Sequence, residues 1–163
     1  MSLLAWQAQA EVRLPALFTS GMVIQRETQA PVWGWAEPGE TITVTGSWGE
    51  SAKAVAGADG SWMVRLQTPP AGGPHTITIT GSSTVQIDNV LSGEIWVCSG
   101  QSNMEWTLER CSKTNPARTE KEHEAAAAYI KQEMETAEDD RLRQFTVEKN
   151  TAPVQALDTL SGS

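Results

Sequence analysis

The sequence predicts an all-β domain over residues 11–92, followed by the beginning of an α/β domain over residues 93–163. Short β-branched runs, separated by Gly, Pro, Asp or Ser, recur through the first part, as is typical of a sandwich or a barrel. Residues 117–144 are rich in the helix formers Ala, Glu and Lys. One β-prone run precedes this stretch and another follows it, and the order strand, loop, helix, strand indicates the start of an α/β unit.

Alternating side chains predict the strands of the first part. In "PVWGWA", Val32, Gly34 and Ala36 alternate with Trp33 and Trp35. In "TITVT", Ile42 and Val44 stand between threonines, so that one face of the strand is apolar. We predict further strands in the runs "SAKAVA", "SWMVRLQ", "HTITITG" and "STVQIDNV".

The dipeptide Asp59-Gly60 separates two of these runs and predicts a β-hairpin. Glycine adopts the positive φ that tight hairpin turns require. We expect the strands on either side of this turn to pair with each other.

Tryptophans on predicted strands are expected to pack in the core or between sheets, because a large aromatic side chain contributes much of the buried area. Four of the seven tryptophans belong to this group: Trp33, Trp35, Trp62 and Trp96.

The second part opens with the β-prone run "IWVC", which predicts a buried strand ending at Ser99-Gly100. We expect Cys98 to be a buried thiol, since free cysteine behaves as a small hydrophobic residue. In an exported protein Cys98 and Cys111 can pair, and the sequence leaves that alternative open.

The helical stretch 117–144 has only a weak apolar stripe, so we predict a mostly solvated helix, followed by a strand through Phe145 and Val147. Arg141 and Arg143 are expected to pair with the acidic residues at 138–140.

Charge and composition exclude several classes of function. The chain has 12 Lys+Arg against 20 Asp+Glu, a formal charge of −8, and it lacks the basic cluster that nucleic-acid binding needs. No apolar run approaches the roughly 20 residues that span a bilayer. No Cys/His cluster has metal-ligand spacing and no Gly-rich loop has phosphate-binding form, so we predict neither a metal nor a cofactor.

The first ten residues resemble the end of a secretory signal peptide. A short apolar piece, "LLAW", is followed by the small-x-small sequence Ala8-Gln9-Ala10 just before Glu11, although the basic start of such a peptide is missing. This feature predicts a secreted or periplasmic protein. The alternative is a disordered or artificial leader.

The segment "CSGQSNMEW" contains the candidate nucleophile, Ser102. A serine that is exposed on a turn after a strand can attack a carbonyl once a base removes its proton, while backbone N–H groups stabilise the oxyanion. Gly100 allows close backbone approach, and the amides Gln101 and Asn103 flank the serine. The alternative is a polar turn that caps the next helix.

The block "GEIWVCSGQSNMEW" resembles the nucleophile region of the sialate O-acetylesterase family, a branch of the SGNH-type hydrolases. Other blocks follow in the family's order: "LPALFTSGMVIQR", "APVWGWAEPGETITVT", "ADGSWMVRLQTPPAGGPHTITITG", "LRQFTV" and "SGS". Residues 112–138 match least. The resemblance implies a β-sandwich followed by a flavodoxin-like α/β hydrolase domain, of which this chain contains an incomplete part.

The resemblance further implies that Ser102 removes O-acetyl groups from carbohydrates, commonly sialic acids, through an acyl-serine intermediate without a metal. The backbone N–H of Ser102, with that of Gln101, would contribute to the oxyanion hole, and Gln101 and Asn103 would shape the loop.

The family's general base comes from a C-terminal Asp-x-x-His element, which this sequence lacks. His75 on a predicted strand and His123 on a solvated helix are poor substitutes. We therefore expect the chain alone to be inactive, and we expect a missing C-terminal half or a second polypeptide to complete it over an exposed apolar surface.

Three residues are candidates for substrate contact: Glu105, Trp106 and Trp48. For Glu105 the simpler explanation is a first-turn carboxylate that favours the helix dipole. The competing function is a noncatalytic β-sandwich that binds carbohydrate or a protein partner.

Overall fold

The computed structural model describes residues 11–107, 110 and 119–147 of the 163-residue chain. The described residues form two compact units. We call residues 11–95 with 143–147 the β unit, and the described residues within 96–142 the helical unit. The N-terminal leader lies outside the described residues, and so does Cys111, the alternative partner of Cys98.

The β unit contains seven strands in two sheets. The strands are β1 (Val23–Gln25), β2 (Gln29–Trp35), β3 (Thr41–Gly46), β4 (Ser51–Val55), β5 (Ser61–Gln67), β6 (Gly72–Thr80) and β7 (Thr84–Gly93). One sheet has the order β1-β7-β6-β3-β4, and the other pairs β2 with β5. All pairs are antiparallel except β1 with β7, where Val23 lies opposite Leu91.

A single core receives side chains from both sheets. Because successive residues of a strand point to opposite faces, every second residue of β2, β3 and β5 is buried. Ile42 and Val44 of β3 are fully buried, as are Ile77 and Ile79 of β6. The two-stranded sheet contributes Val32, Trp62, Val64 and Leu66 to the same cluster. The strands predicted over residues 11–92 are confirmed.

The turn at Asp59-Gly60 is present, but the hairpin prediction is wrong. Gly60 has φ of +78°, and the Asp59 carboxylate accepts hydrogen bonds from the backbone and hydroxyl of Ser61 at 3.0 and 2.8 Å. The flanking strands belong to different sheets, since β4 pairs with β3 and β5 pairs with β2. The turn therefore carries the chain from one sheet to the other, and local turn chemistry does not distinguish the two cases.

The β-prone run at 95–98 does not form the predicted buried strand. Trp96 and Val97 are 83% and 91% exposed, and Cys98 is an exposed free thiol. The predictions of core packing for Trp96 and of burial for Cys98 are therefore wrong. A strand needs neighbours for its backbone groups and its apolar face, and no strand of the described part pairs with this run.

The helical unit contains helix α1 (Glu120–Thr136), which is shorter than the predicted 117–144. It starts with a capping box in which the Thr119 hydroxyl and the Glu122 side chain each bond the other's backbone N–H. It ends before Asp139, whose carboxylate accepts the backbone N–H of Arg141 at 2.9 Å and so forms a local turn. No side chain of α1 is buried, which confirms a solvated helix.

The strand predicted after the helix is also absent from the described residues. Residues 142–146 are not in a strand, and Val147 makes only an isolated bridge. Within the described part, no helix has the length and apolarity needed to span a membrane.

Candidate active site

Ser102 begins a short 3₁₀ helix, Ser102–Glu105, whose residues are all exposed. The backbone N–H of Met104 donates to the Gln101 carbonyl at 2.9 Å, and that of Trp106 donates to the Asn103 carbonyl at 3.2 Å. Two successive turns thus fix the backbone around the serine. The structure places a 3₁₀ turn where the sequence predicts a transition from strand to α-helix.

Gly100 lies against the side chain of Met104. A Cβ at position 100 would approach the Met104 Cγ to 2.8 Å, closer than non-bonded carbons normally come. The absence of a side chain therefore lets Met104 fold back over the loop. A role for Gly100 in close approach to substrate stays a prediction.

Trp106 belongs to the same helical unit as Ser102, and its ring contacts the side chain of Arg110. The guanidinium carbon of Arg110 lies 5.2 Å from the centroid of the Trp106 ring, a cation–π geometry. The backbone N–H of Arg110 donates to the Thr107 hydroxyl at 3.2 Å. Trp106 is 39% exposed, so part of the ring is open to a ligand. Glu105, in the first turn of the short helix, is exposed as well.

Trp48 belongs to the β unit and is packed into it. Its indole N–H donates to the Gln67 carbonyl at 2.8 Å, and its ring meets that of His75 edge to face with centroids 5.3 Å apart. Gly46 provides the space for this ring, because a Cβ at position 46 would overlap it. These contacts give Trp48 a packing role, and ligand contact by Trp48 stays a prediction.

The two histidines lie where the sequence predicts them. His75 is in β6, half-buried against Trp48, with its Nε2 atom buried and without a hydrogen-bond partner. His123 is in the first turns of α1, and its backbone N–H donates to the Thr119 carbonyl at 3.0 Å. The described residues contain no group of three or more His, Cys, Asp or Glu side chains that could hold a metal.

The sequence predicts acidic partners for both Arg141 and Arg143. Arg141 forms a bidentate ion pair with Asp139, as predicted. Its Nε and Nη2 atoms donate to the two carboxylate oxygens at 2.9 and 2.7 Å. These bonds lower the pKa of Asp139 to about 2. Arg143 donates to the carbonyls of Gly21 and Met22 at 2.8 and 3.3 Å and to Asn89. No sequence pattern indicates this, because the acceptors lie far away along the chain.

A second polar cluster lies at the end of β7. The Glu94 carboxylate accepts from the Arg26 Nε at 2.7 Å and from the Gln25 Nε2 at 2.9 Å. These hydrogen bonds, that from Gln25 first and that from Arg26 next, lower the pKa of Glu94. No motif in the sequence indicates this cluster.

The chain is similar in sequence and fold to a solved enzyme of the carbohydrate acetylesterase class. The crystal structure of a carbohydrate acetylesterase from Xanthomonas citri matches 93% of this chain with 37% sequence identity and a TM-score of 0.71. The chain covers 32% of that protein. No family model matches the chain.

The chain is also similar in sequence to curated sialate O-acetylesterases from mammals. The mouse protein is 34% identical over 109 residues, and the rat and human proteins are 35% and 34% identical over 107 residues. These alignments cover about 60% of the chain but only 20% of each relative. The predicted resemblance is thus confirmed: the chain is related to the sialate O-acetylesterases and spans about a fifth of their length.

Proposed function

We propose that this chain is the N-terminal part of a carbohydrate O-acetylesterase in which Ser102 is the nucleophile. The observation that carries the proposal is the 37% identity to a carbohydrate acetylesterase over 93% of the chain. The exposed 3₁₀ turn at Ser102 is compatible with access by an ester. O-acetylated sugars, and sialic acids in particular, are the proposed substrates, because the curated relatives are sialate O-acetylesterases.

The proposed reaction has two steps. The Ser102 Oγ attacks the carbonyl carbon of the acetyl ester and its proton passes to a base. The bond between the acetyl carbon and the sugar oxygen then breaks, and the base returns the proton to that oxygen, which leaves as a hydroxyl. Water then attacks the acetyl-serine, which releases acetate and restores the hydroxyl. Backbone N–H groups of Ser102 and Gln101 would stabilise the oxyanion in each step.

The general base would come from outside this chain. Both described histidines have packing or helical positions, and the proposed family uses an Asp-x-x-His element further along the protein. We therefore propose that the chain alone has no esterase activity and that the remainder of a longer protein, or a second polypeptide, supplies the base.

The proposed domain organisation follows the same relationship. Residues 11–92 would form a β-sandwich, in keeping with two sheets that share one core. Residues 93–163 would begin an SGNH-type hydrolase domain. The exposed apolar residues at 95–97 would become its first strand when the rest of that sheet is present. Residues 1–10 would be the remnant of an export signal.

Acetate release by the longer protein tests the proposal. We expect Ser102→Ala to reduce turnover of an O-acetylated sialic acid at least about a thousandfold, because the nucleophile is removed. The matched control is Ser99→Ala, which changes an exposed serine of the same loop. The fold reduction in turnover in this variant should be at least about tenfold smaller than in Ser102→Ala. Turnover in Ser102→Ala within about tenfold of the unmodified enzyme would reject the assignment.

A noncatalytic binding module is the second candidate, and the self-contained core of the β unit favours it. Under this proposal residues 11–92 would bind a glycan or a protein partner. Glycan binding by the whole chain that survives Ser102→Ala, combined with no acetate release by the longer protein, would support the binding module over the esterase.

A further inference from the structure

We infer that one short segment of the β unit, residues 21–26, anchors both ends of the segment that carries Ser102. Only the consequence for catalysis, which is the positioning of Ser102 in the longer enzyme, rests on the proposed function. Residues 96–142 leave the β unit after Ile95 and rejoin it at Arg143. Polar side chains hold the chain at each of these two points.

The first point, which we call the exit anchor, consists of Gln25, Arg26 and Glu94. The Gln25 side chain donates from Nε2 to Glu94 at 2.9 Å and accepts at Oε1 from the Ile95 backbone N–H, also at 2.9 Å. The Arg26 Nε donates to the other oxygen of Glu94 at 2.7 Å. The backbone N–H of Arg26 also continues the pairing of β1 and β7 by donating to the Gly93 carbonyl at 3.0 Å. Glu94 and Ile95 are therefore fixed directly beside the last paired residues of β7.

The second point, which we call the return anchor, consists of Arg143 and its acceptors. The guanidinium donates to the carbonyls of Gly21 and Met22 and to both the carbonyl and the side-chain oxygen of Asn89. The Met22 carbonyl is also the acceptor of the Leu91 backbone N–H at 3.0 Å, so Arg143 binds at the beginning of the β1 and β7 pairing. Asn89 has φ of +55°, a conformation that asparagine tolerates and that presents its oxygens to Arg143.

Arginine suits the return anchor because its planar fork can reach several oxygens at once, whereas lysine offers a single point charge. Exposed ion pairs contribute little on their own. Here one half-buried guanidinium is shared by four oxygens, three of them in the backbone. Closing a long segment at both ends reduces the conformations available to it. In the longer enzyme the two anchors would act as positioning groups for the nucleophile segment.

Hydrogen–deuterium exchange on the whole chain tests the two anchors separately. Arg143→Ala should accelerate exchange in the peptide that contains residues 142–147 at least about tenfold, because several charge-assisted hydrogen bonds are lost. Gln25→Glu should accelerate exchange at Ile95 by a similar factor, since it replaces the donor to Glu94 with a like charge.

Matched variants separate anchoring from a general loss of stability. Arg141→Ala removes the same charge two residues away but affects only the Asp139 pair, so exchange at 142–147 should stay within about twofold of the unmodified chain. Asn89→Gly keeps the positive φ and the backbone carbonyl and removes only the side-chain acceptor, and should give an intermediate acceleration. Arg143→Lys should restore only part of the protection.

The inference would be overturned by unchanged exchange at 142–147 in Arg143→Ala, or by equal acceleration in Arg141→Ala. In the longer enzyme, Arg143→Ala should lower kcat for acetate release and leave KM within about twofold, because the anchor does not touch substrate. The experiments distinguish failure of the proposed function from failure of the anchoring inference. Undiminished turnover in Ser102→Ala would reject Ser102 as the nucleophile, but it would not affect the exchange results that test the anchors.

Discussion

The two units of the chain differ in what they bury. The β unit encloses apolar side chains from both of its sheets, whereas no described residue of the helical unit is buried. The β unit consists of alternating strands that cover one another. The helical unit has one solvated helix and a loop whose apolar residues face solvent. An amphipathic pattern thus becomes buried structure only where the chain also provides the opposite surface.

The largest expected effect comes from the same substitution made once in each unit. Leu66→Ala in β5 should lower the free energy of unfolding by about 2–5 kcal/mol, because Leu66 is only 1% exposed and its loss leaves a cavity. Leu142→Ala, at a residue that is 80% exposed, should change it by less than about 0.5 kcal/mol. Urea unfolding followed by tryptophan fluorescence measures both values. Equal effects would show that the contrast between the units is wrong.

A glycine in β2 should give the next largest effect. Gly34→Ala places a Cβ against the Arg13 carbonyl and 3.0 Å from the Trp62 ring. The backbone there is held by the paired hydrogen bonds between Arg13 and Trp35 at 2.8 and 2.9 Å, so we expect a loss of about 1–3 kcal/mol. Gly93→Ala is the control, because its Cβ would meet only Val23 at 3.4 Å. A neutral Gly34→Ala in the same unfolding assay would contradict the packing.

Within the helical unit, the start of α1 should matter more than its end. Thr119→Ala removes the capping box and should destabilise the helix by about 1 kcal/mol, lowering the helical signal in circular dichroism. Thr136→Ala removes only hydroxyl bonds to the carbonyls of Gln132 and Glu133 at 3.1 and 3.3 Å, and should leave the signal nearly unchanged. A larger loss in Thr136→Ala would indicate that the cap does not determine where the helix begins.

The smallest effect concerns the exposed pair of Asp139 and Arg141. The pKa of Asp139 falls from 3.8 to about 2, first because of the side-chain hydrogen bond from Arg141. The pair's contribution is therefore complete above 3.8 and is lost as the pH falls through about 2. Carboxyl titration by NMR should show the low value, and Arg141→Ala should return it toward 3.8. A titration near 3.8 in the unmodified chain would contradict the pairing.

Strands β2 to β7 could be predicted from sequence because the alternation in runs such as "TITVT" reflects burial on one face, whereas the three-residue strand β1 is not among the predicted strands. The partners of β4 and β5 could not, since Asp59-Gly60 forms the same tight turn whether the next strand joins the same sheet or another. For the run "IWVC" the prediction of a strand is itself wrong. Its residues have strand propensity, but propensity does not provide neighbouring strands, and Trp96 and Val97 remain exposed.

In the candidate site, too, local sequence indicates some features, whereas other contacts depend on the fold. The prediction of a site at residues 100–103 rests on the chemical rationale of a serine on a Gly-containing turn and on the resemblance to a known block. The same local reasoning predicts acidic partners for Arg141 and Arg143, and it is confirmed for Arg141. The partners of Arg143 at Gly21, Met22 and Asn89 depend on the fold of the β unit, and no local pattern encodes them.

Direct detection of an acetyl group on Ser102 tests the proposed esterase most directly. The longer enzyme would be mixed briefly with an O-acetylated sugar, quenched in acid and digested, and the peptide containing Ser102 analysed by mass spectrometry. We predict an acetylated Ser102 that disappears as acetate accumulates. Steady acetate release with the acetyl group on a different residue, or with full activity retained in Ser102→Ala, would contradict the account.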